Sequence, residues 1–180
     1  MTFAILNGAK ERIKSAVRDI PDFPIEGVVF KDITPILENA DLFRLIISLL
    51  SERYKSKSIE RVVAIDARGF LIGSALAYVL GVGVAIVRKK GKLPHRTISA
   101  SYSLEYGEAT VEMHEDSIEE GQRVLIIDDV LATGGTMGAS IDLVQRLGGK
   151  VVECAFLMEL GFLNGRKKLG DQPVFSILEY

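Results

Sequence analysis

Apolar positions along the chain fall into short, nearly unbroken runs at residues 62–65, 84–87, 124–127 and 151–157. Runs of that length, continuous rather than alternating, predict strands buried on both faces. Between them, residues 69–80 and 135–147 carry apolar side chains at helical spacing. Strands and helices in alternation predict an α/β fold, an open and mainly parallel sheet with helices on both faces. Upstream, residues 9–17 predict a short helix. Leu42, Leu45, Ile46, Leu49 and Leu50 share one face of a further helix that Asp41 can cap and that ends near Tyr54. Residues 21–35 read as irregular, because Pro21, Pro24, Gly27 and Pro35 punctuate them. Residues 97–104 and 109–114 predict two strands joined by the tight turn "EYGE". This hairpin is polar for its length, so it is expected to project from the core as a mobile flap.

The pattern also contains a trap. Residues 70–87 include no charge over eighteen positions, long enough to suggest a membrane span. Gly81 and Gly83 divide the stretch, and a helix, a glycine turn and a buried strand fit it better. The expectation is no membrane association. An early interruption at Asn7 likewise leaves no hydrophobic region of signal-peptide type.

Size and charge narrow the function classes. A chain of 180 residues, 48% hydrophobic, suits one domain with a full core. A net charge of -2 and a pI near 5.8 argue against a general nucleic-acid or membrane-surface binder. The single cysteine, Cys154, has no internal disulfide partner and sits in an apolar run. It reads as a core residue in a reducing, cytoplasmic setting.

The candidate chemistry lies in "VLIIDDVLATGGTMGA", residues 124–139. A buried strand runs into Asp128 and Asp129, and a loop of Ala132, Thr133, Gly134, Gly135 and Thr136 leads into a helix. Ligands of open parallel sheets bind beyond the carboxyl ends of the strands. A helix N-terminus offers free N–H groups and partial positive charge, so the loop reads as a phosphate cradle. No nucleoside-triphosphate P-loop and no dinucleotide fingerprint occurs. The acidic pair could accept hydrogen bonds from two ribose hydroxyls, hold a metal, or simply cap the helix. Arg88, Lys89, Lys90 and Lys92 crowd four positive charges into five residues, either a solvated basic loop or an anion clamp.

These segments together resemble a known family. "VLIIDDVLATGGT" is similar to the phosphoribosyl-diphosphate motif of the type I phosphoribosyltransferases. "DFPIEGVVFKDITPIL", "DARGFLIG", "RKKGKLP" and "ASYSLEYGEA" narrow the resemblance to the adenine phosphoribosyltransferases, in order and over nearly the whole chain. The resemblance implies a single domain over residues 1–180, with an N-terminal hood at about residues 1–35 and a flap at about 95–115. It implies that adenine and 5-phosphoribosyl-1-diphosphate give AMP and diphosphate.

Residue by residue, the resemblance implies the following roles. Asp128 and Asp129 hold the ribose hydroxyls, and Ala132 to Thr136 hold the 5′-phosphate. Asp66, Ala67 and Arg68 form a diphosphate loop with a non-proline cis peptide. Arg88, Lys89 and Lys92 bind diphosphate, some of these contacts being made across a homodimer. Phe30 stacks on adenine while the backbone of Val29 and Lys31 reads the base edge. Glu105, at the flap tip, handles a proton on the base, and Tyr106 closes beside it. Glu108 departs from the pattern, since related enzymes can carry a basic residue there. His95 and His114 lack metal-ligand spacing, so no protein-held metal is expected. Magnesium is expected to arrive with the substrate, held by its diphosphate and ribose oxygens.

Overall fold

The structure is a computed structural model that describes residues 3–103 and 107–180. It divides into two compact units at Leu50/Ser51.

The first unit begins with helix α1, Phe3–Ala16. Strands β1, Arg18–Ile20, and β2, Phe30–Asp32, then pair antiparallel. Pairing in the region that sequence reading left irregular depends on a buried contact. Asp32 is 8% exposed and accepts both Nε and an NH2 of Arg18, at 3.0 and 2.6 Å. It also accepts the backbone N–H of Thr34, which leads the causes holding its carboxyl below the usual range. Helix α2, Thr34–Glu38, follows, and then helix α3, Ala40–Tyr54, which continues past the unit boundary. The cap of α3 is Asn39 rather than the expected Asp41. Its Oδ1 accepts the N–H groups of Asp41 and Leu42, at 3.0 and 3.1 Å. Asp41 lies in the first turn and pairs with Arg44.

The second unit is built on a sheet of seven strands. These are β3 Arg61–Ile65, β4 Gly83–Lys89, β5 Thr97–Ser103, β6 Glu108–His114, β7 Arg123–Leu131, β8 Lys150–Glu159 and β9 Val174–Glu179. Their order is β5-β6-β4-β3-β7-β8-β9. The five strands from β4 to β9 in that order are parallel, and β6 and β5 add antiparallel at one edge. Helix α4, Arg68–Leu80, connects β3 to β4, and helix α5, Gly135–Arg146, connects β7 to β8.

The two helices cover opposite faces, as strand alternation requires. Val63, Ile65, Val124 and Ile126 join Met137, Ile141 and Val144 of α5 in one core cluster. A Cβ added at Gly73 of α4 would meet Ala64 and Ile127 on the other face. The chain therefore leaves β3 toward one side of the sheet and β7 toward the other. Between these two strands lies the topological switch point, where open α/β sheets bind ligands.

Two further elements differ from the sequence expectation. Strand β7 does not stop at Ile127; it continues through both aspartates to Leu131, still paired with β8. The base of the β5–β6 hairpin joins the sheet rather than projecting from the core. Lys89 of β4 pairs with Val111 of β6, and Val111 and Met113 are buried. The 104–106 tip, where Glu105 and Tyr106 fall, lies outside the described residues.

Candidate active site

Strand β3 ends at Ile65, while its neighbour β7 runs on to Leu131. One edge of β7 is thereby left open just where Asp128 and Asp129 stand. The chain leaving β3 turns through a cis peptide between Asp66 and Ala67. A cavity of about 260 Å³ fills the gap. It is lined by residues 66–68, by β7 from Asp128 onward, by the loop 132–136, and by Phe156.

Two helices point their N-termini at this cavity. Helix α4 starts at Arg68 and α5 at Gly135, and neither has a side-chain cap. Their first N–H groups are therefore open to an external anion, and both helix dipoles favour one. The 132–136 loop owes its shape to close packing. Gly134 has φ +80, and a Cβ there would collide with the Gly165 carbonyl. Gly165 belongs to a 3-10 turn, Gly165–Leu169, that sequence reading did not anticipate. The turn is held because Arg166 donates to buried Glu159 of β8 from Nε and an NH2, at 2.7 and 2.6 Å.

The acidic pair occupies opposite faces of β7. Asp129 is 5% exposed and accepts Nε of Arg68. Asp128 Oδ1 accepts the N–H of Asp129 at 2.9 Å and lies 2.9 Å from where a Cβ on Gly69 would stand. Glycine at 69 thus lets the start of α4 approach the carboxylate. Desolvation first, and the Asp129 charge second, push the Asp128 carboxyl well above the ordinary value of 3.8.

The cationic segment is tied to the same loop. Arg88 Nε donates to Asp66 at 3.0 Å, and its NH1 donates to the Lys92 carbonyl at 3.1 Å. Lys89 and Lys92 are exposed. Buried Glu112 of β6 holds the turn, its Oε1 accepting the N–H groups of Lys92 and Leu93, each at 2.9 Å. Burial opposes ionisation of Glu112, but the backbone donors around Lys92 outweigh it and hold the carboxyl below the usual range.

Asp66, Ala67, Arg68, Asp128, Asp129 and residues 132–136 thus meet in one cavity, with Arg88 bonded to its wall. In the first unit, Phe30 lies in β2 with its ring edge-on to Phe23, 5.2 Å between centroids. Val29 is 50% exposed, and the Lys31 ammonium pairs with Asp19 at 2.7 Å. Sequence reasoning overlooked Glu112, Gly165 and Tyr102, the last of which packs behind the loop. Each supports a site residue from a distant part of the chain; Tyr102 lies within "ASYSLEYGEA" without a role of its own there, and no local motif marks the other two. His95 and His114, which lack metal-ligand spacing in the sequence, stack edge-on with centroids 5.9 Å apart. Among the described residues no group of three potential metal ligands occurs.

The phosphoribosyl transferase domain family matches residues 32–178. The adenine phosphoribosyltransferase of Geotalea daltonii is 56% identical over 170 residues, covering 94% of this chain and 99% of the relative. A crystal structure of the adenine phosphoribosyltransferase from Thermoanaerobacter pseudethanolicus superposes with TM-score 0.93 at 50% identity, covering 95% and 99% of the two chains. That of Saccharomyces cerevisiae, complexed with an imino-altritol bisphosphate and adenine, gives TM-score 0.91 at 41% identity, covering 96% and 99%. With the family model spanning most of the chain and relatives at half identity or more over nearly its whole length, the chain belongs to the adenine phosphoribosyltransferase family of phosphoribosyltransferases.

Proposed function

We propose that this protein transfers the phosphoribosyl group of 5-phosphoribosyl-1-diphosphate to N9 of adenine, releasing diphosphate and forming AMP. The observation that carries the reading is the pair of uncapped helix N-termini flanking Asp128 and Asp129 in one cavity. A substrate with phosphate at each end of a ribose matches anion sites on either side of two hydroxyl acceptors. The 132–136 loop takes the 5′-phosphate, and Asp128 and Asp129 accept the ribose hydroxyls. Residues 66–68, with Arg88, Lys89 and Lys92, receive the diphosphate. As diphosphate leaves, positive charge grows at the anomeric carbon, and the carboxylates below the ring stabilise it.

Phe30 stacks on adenine, and the backbone of Val29 and Lys31 reads its edge. Lys31 suits a main-chain role, because its ammonium is already engaged by Asp19. Glu105 manages the proton on the base, with Tyr106 beside it; both assignments rest on family resemblance. Magnesium fits the site as a substrate-borne ion, since it typically uses one or two carboxylates together with phosphate oxygens. Asp128 and Asp129 are the carboxylates that would face it, directly or through water. When bound, it neutralises charge on the leaving diphosphate.

A homodimer is supported by α4, whose Leu71, Tyr78 and Val79 lie on one face and are 53%, 87% and 55% exposed. No described helix is long and apolar enough to cross a membrane. Together with the buried free thiol of Cys154, this accords with a cytoplasmic enzyme. The deciding experiment is diphosphate release by the purified protein, supplied with magnesium, phosphoribosyl diphosphate and either adenine or hypoxanthine. Adenine and hypoxanthine present opposite hydrogen-bond polarity at position 6 and N1. Each mismatched backbone group costs about 1–3 kcal/mol, so preference for adenine should reach roughly 10²- to 10⁴-fold in kcat/KM. Equal turnover of the two bases would overturn the base-reading assignment; release with neither would overturn the activity.

A further inference from the structure

Behind the 132–136 loop stands a residue that no motif singles out. Tyr102 of β5 alternates with exposed Ser101 and Ser103, so its ring turns inward and packs against the core cluster. The ring lies over the start of α5. A Cβ added to Gly135 would come within 2.6 Å of the ring carbon Cδ2. Thr136 donates its hydroxyl to the Tyr102 hydroxyl at 2.8 Å. On the far side of this contact, Tyr102, Gly134 and Gly135 line an outer groove of about 590 Å³. Tyr102 is therefore the wall between that groove and the back of the loop.

We propose that Tyr102 is a positioning residue for the 5′-phosphate subsite, acting through Thr136 and selecting ligands that carry a terminal phosphate at that end of the ribose. The proposal rests on the assignment of the 132–136 loop to the 5′-phosphate. The argument is one of hydrogen-bond direction. A threonine hydroxyl has one proton, and with Tyr102 as acceptor that proton points away from the ligand. When a phosphate oxygen enters, the Thr136 proton must turn to it. Thr136 Oγ1 then needs a donor, and the Tyr102 hydroxyl, which can donate as well as accept, supplies one by reversing its own proton. The resulting chain, Tyr O–H to Thr Oγ–H to phosphate, polarises in one direction and strengthens the last bond. A phenylalanine at 102 keeps the ring against Gly135 but leaves Thr136 Oγ1 without that donor.

The test measures the affinity of AMP and of inorganic diphosphate, with kcat and KM for phosphoribosyl diphosphate. It compares wild type, Tyr102→Phe, Thr136→Val and the double variant. Loss of one neutral hydrogen bond predicts about 2- to 10-fold weaker AMP binding and a matching rise in KM for Tyr102→Phe. Diphosphate affinity and kcat should be unchanged, and a merely structural lesion would not leave them so. In the double variant, the Tyr102→Phe change should add little to Thr136→Val, because both remove one chain. Normal AMP affinity in Tyr102→Phe, with Thr136→Val impaired, overturns the proposal alone, as does full additivity of the two losses. Normal AMP affinity in Thr136→Val overturns the loop assignment and the proposal with it. Equal loss of AMP and diphosphate binding in Tyr102→Phe shows that the residue supports the fold rather than the subsite.

Discussion

Arg68 donates its Nε to Asp129, so the cation assigned to diphosphate is paired with the anion assigned to ribose. Arg68 keeps 43% of its side chain exposed, whereas Asp129 keeps 7%. On the proposed assignment, substrate entry exchanges this pair: the guanidinium turns to phosphate and the carboxylate to a hydroxyl. Asp129→Asn should separate the two roles. It releases Arg68, so inorganic diphosphate should bind as well as to wild type or about 2- to 5-fold more tightly, the scale of a partly exposed ion pair. The same variant loses a charge-assisted hydrogen bond to ribose, and kcat/KM for phosphoribosyl diphosphate should fall about 10- to 100-fold. Calorimetry with diphosphate and steady-state kinetics check the two halves. Weakened diphosphate binding would mean that Asp129 orients Arg68 rather than competing for it.

The other member of the pair sets a pH dependence. Asp128 must be ionised to accept a ribose hydroxyl strongly, yet desolvation and the Asp129 charge raise its pKa well above the ordinary carboxylate value. A raised acid stays protonated to higher pH. The kcat/KM for phosphoribosyl diphosphate should therefore fall on acidification at a pH above the usual carboxylate range. Asp129→Asn removes the second cause and should move that acid limb to lower pH. Arg68→Gln removes a charge that favours ionisation and should move it upward. An acid limb that stays in place in both variants would assign it to another group.

Glu105 carries the proton-transfer prediction. Change to Gln keeps the size and polarity of the side chain but removes the exchangeable proton site. Turnover at saturating substrates should drop roughly 10²- to 10⁴-fold, while AMP and diphosphate affinities hold near wild type. Retained kcat would leave Glu105 as a turn residue of the hairpin.

The parallel core of the second unit was legible because burial on both faces writes continuous apolar runs. The runs at 62–65 and 124–127 both lie within observed strands. The carboxylates and the glycine loop were legible because chemistry of that kind needs particular residue types at fixed spacing. Strand ends were less so. Asp128 and Asp129 read as lying past the strand, yet the ladder to β8 carries them within it. Pairing to a neighbour overrides the low strand propensity of aspartate. Strand β9 and the turn at 165–169 were not read from the sequence, and side-chain partners elsewhere in the chain help to order them. Glu159 reaching Arg166 and Ser176 is one such contact, and Tyr102 under Thr136 is another.

Glu153 of β8 shows a buried charge that serves stability rather than chemistry. It is 4% exposed and is gripped by Arg53 Nε and NH2, each at 2.7 Å, and by Lys57 at 3.0 Å. Burial alone would raise its pKa, but Arg53 and Lys57 help bring it down from 4.5 to about 2. A depressed carboxylate stabilises the fold above its unfolded pKa, and that contribution is lost as pH falls from 4.5 toward 2. Glu153→Gln should lower unfolding free energy near neutral pH by about 2–4 kcal/mol, because two cations lose their buried partner. Its stability should also depend less on pH in the acid range. Denaturant unfolding at several pH values checks both, and parallel pH curves for the two proteins would exclude Glu153 as the source.

The last prediction concerns Gly134, where backbone conformation and packing constrain the same atom. Its φ of +80 is a region that side-chain-bearing residues seldom adopt, and a Cβ there would run into the Gly165 carbonyl. The Gly165 turn cannot easily retreat, because Arg166 is anchored to buried Glu159. Gly134→Ala must therefore move the loop, which swings the first N–H groups of α5 away from the cavity. Strain of this kind is worth about 1–3 kcal/mol, and it falls on the segment assigned to the 5′-phosphate. Binding of AMP should weaken about 10-fold or more, while binding of inorganic diphosphate, assigned to residues 66–68 after the neighbouring strand β3, should stay within about 2-fold of wild type. Gly8→Ala is the control for adding a methyl group, since a Cβ there meets nothing within 4 Å; it should leave both affinities intact. If Gly134→Ala weakens the two ligands equally, the two ends of the cavity are one cooperative site, and the division into 5′-phosphate and diphosphate loops fails.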